Sequence, residues 1–161
     1  MRSILWIGAA LVVMAYAAYA FLTVDRRSDE IVIRSLIEDA ATAAGERDVG
    51  GVVGCLSKNY KDEAGNNYHK IRQFLAQAMR TELDYVVDAR ISGLRIDGDR
   101  ATVEVGVKVT RGNSAEILYE RHLTVGLTRE SGRHALIVPV KVWRVTSVDN
   151  LGLERVIGVG F

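Results

Sequence analysis

Cysteine is nearly missing from this chain: Cys55 is the only one in 161 residues. An intramolecular disulfide is therefore excluded, and so is a zinc site built from several thiolates. An excess of one charge is missing too. The 21 Lys and Arg against 20 Asp and Glu leave a formal net charge of +1, without the basic face that nucleic-acid binding requires. Nucleic acid is not an expected partner. His69, His122 and His134 are scattered with no i, i+4 pair, which argues against a metal site. Gly50-Gly51 and Gly54 have neither the preceding strand nor the Lys of a phosphate loop, so they are expected to permit close packing of a short helix. Ser57 and Cys55 stand in no nucleophile context. Cys55 reads as a small buried hydrophobe, and no cofactor is expected. Internal repeats and linkers are absent, and the length suits one domain with a real core.

What is present begins with an apolar run. Residues 4–22 hold nineteen consecutive positions without a charge, which at ~1.5 Å per residue just spans a ~30 Å hydrocarbon layer. Trp6 lies near one end and Tyr16 and Tyr19 near the other, where amphipathic rings favour the headgroup level. A cleaved signal peptide is the rival reading, with Arg2 ahead of the apolar core and Ala15-Tyr16-Ala17 or Ala18-Tyr19-Ala20 as the cleavage site. Continuation of the run through Phe21 and Leu22 favours an uncleaved anchor over residues 1–24, followed by a domain over 25–161. Either reading takes the chain to a membrane. Orientation is open: Arg26 and Arg27 just after the run would hold the domain in the cytoplasm, whereas the very short segment ahead of it suits export of a long C-terminal domain. The expected address is a single-pass membrane protein with an extracytoplasmic, periplasmic domain; the alternatives are a cytoplasm-facing domain or one secreted after cleavage.

Beyond the run, Ser28 followed by Asp29 and Glu30 predicts a helix start. Ile33, Leu36, Ile37, Ala40, Ala41 and Ala44 make one apolar stripe, and Gly45 is the expected left-handed stop. A shorter helix is predicted over 49–56, an extended piece over 59–63, a Gly65-Asn66-Asn67 turn, and a third helix capped by Asn67. From Asp84 the apolar period changes from 3.6 to 2, the mark of a sheet covered on one side. Tyr85, Val87, Ala89 and Ile91 alternate with polar residues, Val86 excepted, and Ala101, Val103, Val105, Val107 and Val109 alternate without exception. Turns are expected at Asp97-Gly98-Asp99, Arg111-Gly112-Asn113-Ser114 and Glu130-Ser131-Gly132-Arg133. They separate four strands, the last two over 116–128 and 135–148. Pro139 cannot donate to a ladder, so it argues for an edge strand or a bulge.

This is an α+β pattern: three helices packed on a curved, mainly antiparallel sheet of four long strands. Gly45-Glu46-Arg47-Asp48, then Leu56-Ser57-Lys58-Asn59-Tyr60-Lys61-Asp62, then Ile96-Asp97-Gly98-Asp99-Arg100-Ala101-Thr102-Val103, with Val142-Trp143-Arg144-Val145 as the closing strand, resembles the NTF2-like superfamily, also called the SnoaL-like or cystatin-like cone. The likeness covers about residues 28–148. It implies the fold, and it leaves the activity open among isomerases, dehydratases, hydrolases, transport factors and non-catalytic members.

Enzymes of that superfamily work in the mouth of the cone with an Asp or an Asp/His pair, and no such pair maps onto this chain. The candidate pocket residues are Tyr60, Asp62, Tyr85, Asp88, Arg90 and Trp143. Asp62 could serve as acid or base, or the Tyr60-Lys61-Asp62 pattern could be structural. Asp88 and Arg90 share a strand face and could pair over a pocket, or form a solvated pair. The three aromatics could line a cavity, or fill it. Residues 151–161 form an apolar tail that either packs back on the domain or docks on a partner through Val156, Ile157 and Phe161. The leading expectation is a membrane-anchored, non-enzymatic accessory or scaffold subunit of a membrane or envelope complex, acting through a protein partner or as a homo-oligomer. A domain that binds a small apolar ligand, or an enzyme using the cone pocket, is the alternative.

Overall fold

The computed structural model describes residues 12–16, 19, 28–80, 84–112, 114, 116–134 and 138–152. Two compact units are present, one made of Met1–Ser28 with Glu130–Val142 and the other of Asp29–Arg129 with Trp143–Phe161. Element order is α1 (Asp29–Gly45), α2 (Val49–Gly54), α3 (Tyr68–Ala78), β1 (Tyr85–Asp97), β2 (Arg100–Arg111), β3 (Ile117–His134) and β4 (Val138–Asp149). The strands form one sheet in the order β1-β2-β3-β4.

In the larger unit, both ladders β1–β2 and β2–β3 are antiparallel. Alternation places Val103, Val105 and Ala101 of β2 beside Val125 and Leu127 of β3, all buried on the face that receives Ile33 and Ile37 of α1. Val53 of α2, Tyr68 and Ile71 of α3, Tyr60, Trp143 and Val145 complete this core. The outer face is polar. Across the register it carries Asp88, Lys108 and Glu120 in one row and Arg90, Gly106 and His122 in the next. Opposite charges side by side on neighbouring strands suit a solvated surface. Val86, the one apolar residue foreseen on this side, is exposed.

The end of α1 departs from expectation. Asp48 N donates to Ala43 O at 2.8 Å and Arg47 N to Ala44 O at 3.2 Å, the paired bonds of a Schellman stop whose left-handed residue is Arg47 at φ 61° rather than Gly45. Arg47 tolerates that conformation because its guanidinium stacks 5.4 Å from the Tyr85 ring centroid and pairs with Asp84 at 3.4 Å. The buried alanine near this end is Ala43, not Ala44, because α2 crosses there. A Cβ on Gly51 would lie 2.7 Å from Ala43 Cβ, so the glycine permits the contact, as its place in the sequence suggested. Gly51→Ala should therefore lower the urea midpoint: overpacking costs about 1–3 kcal/mol, more than the ~1 kcal/mol gained in helix propensity. Gly54 has open space around it, and Gly54→Ala should leave stability unchanged or raise it by up to ~1 kcal/mol. Equal effects from the two substitutions would refute the packing account.

Asn67 caps α3 as expected, its side chain accepting from His69 N and Lys70 N at 3.1 Å each. Gly65 at φ 76° and Gly98 at φ 58° make the two tight turns. The piece expected as extended over 59–63 is reduced to a single bridge, Lys61 with Asn67. β4 is an edge strand, which suits Pro139. Residues 55–61 run along part of it: Ser57 N donates to Val145 O, Val145 N to Cys55 O and Lys61 N to Thr146 O.

In the smaller unit, residues 130–134 are strand, so the turn expected at Glu130-Ser131-Gly132-Arg133 is corrected. The ladder continues because Gly132 lies against Val142, whose Cγ2 stands 3.2 Å from where a Cβ would be. Residues 12–16 and 19 are helical and exposed. The rest of the run expected as an anchor lies outside the described residues, among which no helix is long and apolar enough to cross a membrane.

Candidate functional site

Inward positions of β3 run Tyr119, Arg121, Leu123, Val125, Leu127 and Arg129, an apolar row with a cation near each end. At one end Arg129 stacks on Trp143, its Cζ 4.9 Å from the ring centroid. It pairs with Asp29 at the start of α1 and reaches Asp99 Oδ1 of the β1–β2 turn at 3.6 Å. Trp143 Nε1 donates to Asp29 Oδ1 at 3.1 Å. This cluster therefore ties the first turn of α1, a hairpin turn and two strands together. Arg129 lies one residue past the strand expected over 116–128 and continues its inward phase because β3 runs on to His134. At the other end, Tyr119 Oη donates to Leu151 O at 2.9 Å, and burial raises the Tyr119 phenol against the lowering effect of Arg121.

The six residues expected in a pocket are not gathered into one. Trp143 is 4% exposed and Tyr60 2%, so both are core. Tyr85 Oη donates to Ala44 O at 3.1 Å. Asp62 is buried, but its carboxylate accepts from Asn66 N at 2.7 Å and from Asn66 Nδ2 at 2.9 Å, which closes the loop before α3. Asp88 and Arg90 pair at 2.8 Å on the outer face, away from the core. Among the described residues, every buried side-chain polar atom has a hydrogen-bond partner. Cys55 is half-buried, its thiol facing Gly51 O at 3.5 Å and Leu36 O at 3.9 Å. Burial raises its pKa, with Arg144 lowering it and Asp39 adding a smaller upward push.

Among the described residues, the Tyr60 phenol is the most perturbed. Burial first, then the Asp62 and Asp149 carboxylates, push its phenol well above the ordinary 10.0, against a lowering hydrogen bond with the Val148 backbone. Below pH 10 folded and unfolded chains both keep this proton. Above it the unfolded phenol ionises first, so stability falls as pH rises, by up to ~1.4 kcal/mol per unit for one group. Tyr60→Phe should flatten the decline in stability between about pH 10 and 11.5, measured by urea unfolding; an unchanged slope would dismiss Tyr60 as its source.

An open cleft of about 310 Å³ lies between α1 and β1, lined by Glu30, Arg34, Ile91, Ser92, Gly93, Leu94 and Ile96. A register shift between Ile91 and Gly93, with Ser92 as the extra residue, falls within its lining. Glu30 and Arg34 form an i, i+4 pair at 3.0 Å on its rim, both well exposed. None of the six expected residues lines it.

No family model and no curated protein matches the chain. Solved structures do. A cystatin-like-fold domain of unknown function from Nostoc punctiforme PCC 73102 superimposes with a TM-score of 0.61 at 16% identity, covering 84% of this chain and 85% of that one. An NTF-2-like protein of unknown function from Shewanella oneidensis MR-1 gives 0.60 at 12% identity, covering 75% and 97%. The fold is NTF2-like. A further NTF2-like protein of unknown function, from Pseudomonas putida KT2440, gives 0.55 at 18% identity over 72% and 80% of the two chains. These superpositions show a shared NTF2-like backbone and nothing about activity.

Proposed function

We propose that this chain is a membrane-tethered, non-enzymatic accessory or scaffold subunit of an envelope complex, anchored by residues 1–24 with its NTF2-like domain on the extracytoplasmic side. The observation that carries the non-enzymatic reading is how the polar candidates are occupied. Asp62 is committed to Asn66, and Asp29 to Trp143 and Arg129, while Tyr60, Trp143 and the valines fill the interior where a substrate would lie. A general acid or base needs a proton-transfer partner within reach, and these groups already hold structural ones. The tether rests on nineteen uncharged residues over 4–22.

The test is fractionation of the full chain carrying a C-terminal reporter, beside a chain beginning at residue 25. The full chain should resist salt and alkaline extraction from membranes, report outside the cytoplasm, and leave detergent solution as a stoichiometric assembly. A soluble full chain, a cytoplasmic reporter, or a lone monomer in detergent would each defeat part of the proposal.

The 310 Å³ cleft supports a second reading, a small apolar ligand held by Ile91, Leu94 and Ile96. Against it, the cleft is open, more of its lining surface is polar than apolar, and its one carboxylate, Glu30, is exposed and paired. Binding of an apolar dye that Leu94→Trp abolishes would favour this reading.

A further inference from the structure

Val156, Ile157 and Phe161 of the tail expected to dock lie outside the described residues. Among the described residues a docking surface is marked by charge instead. The near-neutral total divides unevenly along the chain: from Asp29 to Asp48 six carboxylates stand with two arginines, whereas from Ser57 to Arg80 five Lys and Arg stand with two carboxylates. The second stretch contains α3, which has no acidic residue of its own.

Both carboxylates of that stretch are occupied, Asp62 by Asn66 and Glu63 Oε1 by Asn150 N. The five cations, Lys58, Lys61, Lys70, Arg72 and Arg80, are exposed. Three of them gather where α3 begins. Lys61 bridges to Asn67, the residue that caps the helix, Lys58 Nζ stands 3.8 Å over the ring centroid of Tyr68, and Lys70 N is bonded to the cap itself. Elsewhere arginines find acids, as Arg34, Arg47, Arg90, Arg111 and Arg129 do. Lys61, Lys70, Arg72 and Arg80 have no ion-pair partner among the described residues. The start of a helix is also an unfavourable place for cations, because the dipole there is already positive. α1 begins with Asp29 and Glu30 and follows that preference; α3 opposes it. No carboxylate among the described residues offsets this, which points to an anion outside the chain.

An acidic protein and an anionic bilayer both present such charge. The nineteen uncharged residues over 4–22 favour the bilayer, because a tethered domain meets lipid headgroups at high effective concentration. Each Lys or Arg within a Debye length of an anionic surface then adds to the attraction. We propose that the basic face of α3, with Lys58, Lys61, Lys70 and Arg72, rests on an anionic lipid surface. The tether keeps the domain near the bilayer, and this face sets which side turns to it. The choice of lipid over acidic protein rests on the tethered reading; the charge pattern does not.

The experiment uses the full chain in vesicles of phosphatidylcholine, with and without phosphatidylglycerol, doped with a lipid that carries a nitroxide on its headgroup. A dye sits at Gln73→Cys in a Cys55→Ala background, or at Glu120→Cys on the outer sheet face as the control. Phosphatidylglycerol should quench the dye at position 73 several-fold more than phosphatidylcholine alone, and raised salt should abolish the difference. The dye at position 120 should respond to neither. Lys70→Glu combined with Arg72→Glu should also abolish the difference, and this variant folds, since both sites are exposed and carboxylates suit the start of a helix. Equal quenching in both lipids, equal quenching at both positions, or quenching that survives charge reversal would overturn the proposal. A chain that never enters the vesicles defeats the tether instead, and flotation of that chain with added phosphatidylglycerol vesicles then decides the face alone: a salt-sensitive bound fraction upholds it, and no bound fraction overturns it. Retention on poly-glutamate by a chain that ignores phosphatidylglycerol would likewise overturn it and assign the face to an acidic protein.

Discussion

Trp143→Ala should destabilise the larger unit by about 3–5 kcal/mol, the usual cost of emptying a large aromatic site in a core. The ring is 4% exposed, its Nε1 holds Asp29, and its face carries Arg129. Removing it leaves a cavity and takes one donor from Asp29 and the stacking platform from Arg129. Trp143→Phe separates these effects, because it keeps much of the volume and loses the hydrogen bond, worth about 1.5–3 kcal/mol when the acceptor is charged. Urea unfolding followed by far-UV circular dichroism in detergent reads both variants. If Phe proves as damaging as Ala, the hydrogen bond outweighs the packing; if neither shifts the midpoint, Trp143 does not organise this core.

Ile33→Ala should cost about 2–5 kcal/mol, because Ile33 is 0% exposed and joins α1 to the sheet. Its neighbour Ile31 is 50% exposed on the same helix, and Ile31→Ala should stay within ~0.5 kcal/mol. Helix propensity favours Ala over Ile at both sites, so the contrast isolates burial. Against a total of ~5–15 kcal/mol for an ordinary domain, the larger loss removes a large share of the margin. Similar midpoints for the two variants would contradict the placement of α1.

Much of the fold was legible because its signals are local and repeated. The alternation from Ala101 to Val109 marks β2, and Asn67 and Asp97-Gly98-Asp99 mark a cap and a turn that the structure contains. Errors arose where a tertiary contact overrides a local preference. Gly45 is the better left-handed residue in isolation, yet Tyr85 and Asp84 hold Arg47 there instead. Gly132 looks like a turn residue, yet it serves a ladder in which Val142 takes its space. The register shift at Ile91 has no sequence marker stronger than Gly93 beside it.

The site was less legible than the fold. Tyr60, Asp62, Tyr85 and Trp143 were noticed for residue type, and type does not say whether a side chain lines a cavity or fills it. Phase says more. Arg121 and Arg129 occupy inward positions of β3, and an arginine in an apolar row must find a partner, a platform or a route to water.

The displaced register at Ser92 also bears on how copies of this protein can meet. β1 is one of the two edge strands, thirteen residues long, and a straight strand of that length would be a template for a neighbour's backbone. The extra residue breaks its row of amides partway, and Asp88, Arg90 and Arg95 set charges along it. Strand-by-strand addition of a second copy along this edge is thereby discouraged.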